Sequence, residues 1–245
     1  MLLKKFAPLL LGAVVAAALL GCEATLRSSQ TGSAPTPTDD EGAHLRAVYS
    51  EMGRSGGRVF TLVPTDSSVR IYAFRAGRAA RLGHNHVLSA PQFTGFFHLP
   101  TSGAANGRFD LAFRLDQLEI DNPAYRSALG AAFSTVLSPE DIEGTRDHLL
   151  GANCLQADRF PFVRIQSLQI SGEAPKFAAK VQVEIHGQKR EMWIALDVEG
   201  LPDRLSVSGS FVLRQTDFGV QPYSLLGGLL SVQDEVVLDF KLAGA

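Results

Sequence analysis

The sequence predicts an all-β protein, an antiparallel closed barrel of about eight strands with a short helical insertion. Three observations predict it. From Arg58 onward apolar residues recur at every second position, the signature of strands with one buried and one wet face. Turn signals such as His186-Gly187-Gln188 and Pro202-Asp203 separate consecutive runs, as antiparallel hairpins require. One stretch between the runs changes to helical spacing, with a well-formed helix start at Ser138-Pro139-Glu140-Asp141.

The N-terminus reads as an export segment. Lys4 and Lys5 precede an uncharged run from Phe6 to Leu20 that ends at Gly21 and Cys22. The run is short for a spanning helix, which needs ~20 apolar residues, and has the order of a signal peptide. Leu19-Leu20-Gly21-Cys22 resembles a lipobox, which implies a signal peptide over residues 1–21 and acylation (palmitate among the chains) of Cys22. Acyl chains on Cys22 would anchor the protein to a membrane. Glu23, in place of the aspartate that marks inner-membrane retention, implies the outer membrane facing the periplasm. Residues 22–57 are rich in Ser, Thr, Pro, Gly and charge, as in SSQTGSAPTPTDDEG, and read as a flexible tether. Residues 44–52 within it are compatible with a short helix. The barrel domain is assigned to residues 58–245.

Loss of Lys4 and Lys5 with the signal takes the formal net charge from −2 to −4, which gives no basis for binding nucleic acid. With Cys22 acylated, Cys154 has no intramolecular partner, so stability must come from a core. Hydrophobic residues make up 45% of the chain, enough to build one.

The strand runs follow in order: 69–73, 109–115, 163–165, 181–185, 192–198, 205–213 and 238–242. Between the second and third, Asn122 to Thr135 carries Tyr125, Leu129 and Phe133 at four-residue spacing. Ser138 then offers an N-cap, Pro139 a first helical position and Asp141 an acid at the third, for a lid helix ending near Gly151.

His84 and His86 form the most conspicuous constellation. In an extended segment they share a face, where two imidazoles could bind a metal, meet a ligand headgroup or bond to backbone. Cys154 reads as a small buried hydrophobe rather than a nucleophile. Arg146-Asp147 and Arg214-Asp217 read as structural pairs. No Ser-His-Asp motif, phosphate loop or dinucleotide fingerprint is present, so the chain is not expected to be an enzyme or to need a cofactor.

Several segments resemble the YceI-like family of exported, lipocalin-like barrels. They are Phe60-Thr61-Leu62 to Val69, Gly83-His84-Asn85-His86 with Phe93-Thr94-Gly95-Phe96-Phe97, Arg146 to Leu150 with Asp158-Arg159-Phe160-Pro161-Phe162 and Ser167, and Arg214 to Val220. The chain departs from the family pattern at Gly151-Ala152-Asn153-Cys154 and at Thr65-Asp66-Ser67. The resemblance implies an apolar tunnel that takes a polyisoprenoid, a quinone or a similar amphiphilic lipid. On that basis the mouth and lining are assigned to His84, His86, Phe93, Phe97, Phe113, Phe162, Trp193, Phe211 and Phe218. Two other functions are carried as alternatives. One is a structural or stress-related interaction module with a filled barrel, the other a metal-dependent envelope enzyme using His84 and His86. Assembly as a homodimer is left open.

Overall fold

A computed structural model describes residues 40–245; Cys22, the signal segment and most of the tether lie outside the described residues. The described residues lie within one compact unit.

The chain begins with α1 (Asp40–Arg54), then β1 (Arg58–Thr61), β2 (Ser68–Ala76), β3 (His86–Ser89), β4 (Thr94–Leu99), β5 (Arg108–Arg114) and β6 (Glu119–Ile120). Two helices follow, α2 (Pro123–Ala128) and α3 (Pro139–Leu150). The chain then forms β7 (Phe162–Glu173), β8 (Lys176–Ile185), β9 (Gln188–Glu199), β10 (Leu205–Arg214), β11 (Ser224–Leu225) and β12 (Leu230–Gly244). All strands pair antiparallel, in the order β1-β4-β5-β7-β8-β9-β10-β12-β2-β3-β6, with β11 on β12.

This corrects the expectation of about eight strands in a closed ring. There are twelve strands among the described residues, and their ladders form an open path curled into a half-barrel. The reason lies in β12, which is 15 residues long. One of its edges pairs with β10, and the other is shared: residues 231–241 pair with β2. Beyond the 3-10 turn at Pro64–Asp66, only the end of β1 meets the end of β12. That contact is limited to Thr61 and Ala245, whose backbones exchange bonds of 2.9 and 3.0 Å, and the neighbouring Leu62–Gly244 bridge and Val63–Ala243 bond.

The turns form where the sequence places them. His186 and Gly187 adopt left-handed φ of 53° and 71°, closing a two-residue hairpin in which Ile185 faces Gln188. α3 starts with a complete capping box: Ser138 accepts from Asp141 N, and Asp141 accepts from Ser138 N. The helical stretch over 122–135 is shorter than its spacing suggests. It breaks at Gly130 (φ 74°) into α2 and a 3-10 turn at Ala131–Phe133.

The inner face of the sheet carries the main core, from Phe60 through Phe113 and Val181 to Leu238. Part of the outer face is also covered. Tyr72 and Phe74 pack beneath Phe133, Tyr125 and Leu129. The end of the supposed tether is likewise structured, correcting that reading over residues 40–54. Leu45, Val48, Tyr49 and Met52 share one side of α1 and pack on Phe96 and Ala112. Tyr49 is fully buried, stacks on Phe96 at 5.1 Å and donates to Asp110 at 2.6 Å. Burial and that bond raise the Tyr49 phenol far above its usual range. Glu41 adds an ion pair to Arg164 at 3.0 Å.

Candidate functional site

Two internal spaces differ sharply. Inside the curl lies a cavity of about 100 Å³, lined by side chains such as Phe97, Phe109, Phe113, Phe177 and Phe211. Beneath α3 lies a cleft of about 590 Å³, within the roughly 300–1,000 Å³ typical of ligand sites.

The cleft takes its floor from the far ends of β2 and β12 and its roof from α3. Ala73, Leu88, Val232, Gly144, Leu149 and Cys154 line it together with polar side chains such as Arg75, Asp141, His148 and Tyr223. His84 and His86 line it as well. Their segment is extended, so they share a face while Asn85 between them turns into the protein. Asn85 accepts from Arg75 N and donates to Ala132 O, both at 3.0 Å. The two imidazole rings stand 4.8 Å apart at 74°.

Behind His86 is a buried polar chain that sequence reading missed. His86 Nδ1 lies 2.6 Å from Asp121 Oδ2. Asp121 Oδ1 accepts from Val87 N at 3.0 Å and from Arg126 Nη1 at 2.6 Å. Arg126 also donates to the carbonyls of Asn85 and Thr135. The Asp121 side chain is fully buried and that of Arg126 nearly so. Burial pushes the Asp121 carboxyl up, but the bonds from His86, Val87 and Arg126 outweigh it and hold the group below its usual range. An ionised Asp121 accepts only, so Nδ1 of His86 carries the proton that joins them. Nε2 is then the atom left for a molecule in the cleft, a tautomer fixed by the hidden partner. His84 is pushed below its ordinary value by burial and by His86 beside it.

Two more polar side chains of the lining are His148 and Arg75. His148 comes from α3 and packs edge-on against Tyr223, 4.4 Å between ring centres. Its Nε2 is buried and bonds to no protein group among the described residues. Arg75 donates from Nη1 to Gly83 O at 2.7 Å. Three imidazoles thus line one cleft, yet no three His, Cys, Asp or Glu among the described residues are grouped as a metal site. The Cys154 thiol also lines the cleft, but burial pushes it up to about 11, which keeps it protonated and a poor nucleophile.

The sequence-assigned residues do not come together in one place. His84 and His86 line the cleft, and Phe97, Phe113 and Phe211 line the small cavity. Phe93 and Phe218 pack in the main core and border neither space. Phe162 lies between Arg114 and Arg164, 5.4 and 5.0 Å from their guanidinium carbons. Trp193 is a correction: it is 54% exposed on the outer face, because Ile194 takes the inward position. The two arginine pairs are corrected too. Arg146 donates to Leu118 O at 2.8 Å, and Arg214 bonds Asp234 at 3.1 Å.

Residues 60–243 match the YceI-like domain family. Three solved structures are similar. BcnA of Burkholderia cenocepacia superposes with a TM-score of 0.56 at 14% identity, over 75% of this chain and 99% of that one. A polyisoprenoid binding domain from Saccharophagus degradans, implicated in plant cell wall breakdown, gives 0.49 at 10%, over 76% and 97%. The Campylobacter jejuni YceI protein gives 0.46 at 10%, over 64% and 84%. Curated protein sequences yield no match. At these identities the likeness is one of fold.

Proposed function

The chain belongs to the YceI-like domain family, and from that premise we propose that it is a lipid-binding protein tethered to the cell envelope through Cys22. It holds an amphiphilic lipid of the polyisoprenoid or quinone class and performs no chemistry on it. The carrying observation is the 590 Å³ cleft, lined by apolar side chains together with His84, His86 and His148. This moves the expected site from the inside of the curl, where about 100 Å³ is free, to the space beneath α3. Apolar chain against Leu88, Leu149 and Val232 is desolvated at about 25 cal/mol per Å². The polar end of the lipid meets Nε2 of His86, His84 and His148. The acyl anchor keeps the cleft within reach of a bilayer.

The test is solvent extraction of protein purified from bacterial envelopes, followed by mass spectrometry. A stoichiometric amphiphile is expected, and acyl chains on a mature N-terminal Cys22. Protein that carries no lipid from lipid-replete envelopes overturns the reading. It would favour the alternative of an interaction module with a filled barrel, which the small interior volume supports.

A further inference from the structure

At the cleft rim the chain does something unusual for a soluble surface. Residues 224–229 are all exposed, and three of them are leucines: Leu225 at 44%, Leu226 at 80% and Leu229 at 43%. Leu226 is held outward with φ 51°, a left-handed conformation that costs a branched-chain residue energy and marks sites where strain serves a purpose. Gly227 and Gly228, at φ 66° and 87°, turn the chain behind it.

A second loop is fastened to this one. Ala79 N donates to Leu229 O at 2.8 Å. Gly77, at φ 89°, passes so close that a Cβ there would sit 2.5 Å from the carbonyl oxygens of Gly228 and Leu229. The second loop brings Leu82, 74% exposed, and two exposed arginines, Arg78 and Arg81. Neither arginine has an ion pair or side-chain hydrogen bond among the described residues. Leu82 and Leu230 also line the cleft, so the apolar tip continues into it.

We propose that the paired loops over 77–82 and 225–230 form a docking tip that inserts its leucines into an anionic phospholipid bilayer, with Arg78 and Arg81 on the headgroups. Exposed leucines beside unpaired cations match an interfacial surface, where apolar burial and attraction to anionic lipid add. The choice of a bilayer over a protein rests on the reading of the cleft as a lipid site, since lipid can then pass from bilayer to cleft without crossing water.

The test uses residues 37–245, which are a compact unit containing all three hydrophobic clusters and lack Cys22. Co-sedimentation is measured with vesicles of phosphatidylcholine alone and with about one-third phosphatidylglycerol, a fraction that gives a strongly negative surface. Binding to the anionic vesicles is expected, at least tenfold weaker in the L225S/L226S/L229S variant. It should also weaken several-fold in R78Q/R81Q and at high salt. In a separate L226W variant, tryptophan emission should shift to the blue on vesicle addition. The proposal is overturned if the parent domain ignores both vesicles or if the leucine variant sediments like the parent. Indifference to salt and to the arginine changes overturns it equally. Vesicle binding by a protein that yields no extracted lipid would sink the cleft reading and leave this one standing; extracted lipid without vesicle binding would do the reverse.

Discussion

Two regions on the concave side of the curled sheet meet opposite physical demands. Around Phe97, Phe113 and Phe211 it is packed until about 100 Å³ remains, with aromatic rings filling the space. The region under α3 keeps about 590 Å³ and has three histidines among its lining. The first is what close packing yields when a strongly curved sheet buries its own inner face. The second exists because α3 spans the floor as a roof, with Gly144 among the residues facing it. If the cleft is the lipid site proposed above, stability and binding reside in neighbouring but separate volumes, and each can be attacked without the other.

The largest expected effect is on the packed side. Phe113→Ala should cost about 3–5 kcal/mol by loss of burial plus a cavity, read from urea unfolding, while lipid per folded molecule stays unchanged. A change in retained lipid would place the ligand inside the curl and dissolve the distinction. Next comes Asp121→Asn, which leaves Arg126 buried without its charge partner. A loss of roughly 3 kcal/mol is expected, at the low end for breaking a buried pair, since an amide oxygen can still accept from Val87. This variant should also weaken lipid retention, because His86 loses the group that fixes its tautomer.

Gly144→Trp attacks the open side alone. A Cβ at Gly144 meets nothing within 4 Å, so the indole should enter the cleft without unfolding the domain. Retained lipid should fall about tenfold, equivalent to ~1.4 kcal/mol, with the urea midpoint nearly unchanged.

The smallest effect is the pH profile. His84 binds its proton more weakly folded than unfolded, so stability should decline once pH falls below 6.5 and level off beneath the folded value. Asp121 acts lower down. Its contribution is present above 3.8 and is lost as pH falls through its depressed folded value. Urea midpoints across pH 3–8 should show both stages, and His84→Gln should remove only the upper one.

Much of this is legible in the sequence, and the misses have physical causes. Alternation located the long strands because each buries one face, and the Ser138 capping box located α3 because local chemistry alone specifies it. Trp193 was misassigned although parity held the answer: if Met192, Ile194 and Leu196 point in, Trp193 points out. Residues 45, 48, 49 and 52 carry a helical stripe, which makes 44–52 compatible with a short helix, but the polar, Pro-rich sequence before them gives no sign that the helix packs on the sheet. The Asp121 chain could not be read at all. His86 and Asp121 are 35 residues apart, and only the fold joins them. The open path of ladders was likewise beyond reach, because nothing in the alternation of residues 230–244 says that one strand edge serves two neighbours.

The helix α1 has a mechanical consequence. A pull on the domain from its N-terminal side enters α1 before it enters any strand, since β1 starts only at Arg58. The Glu41–Arg164 pair and then the Leu45 and Tyr49 contacts would break one after another, as in unzipping. Such a helix would act as a fuse, leaving the ladder from β1 to β12 unloaded until it had peeled away.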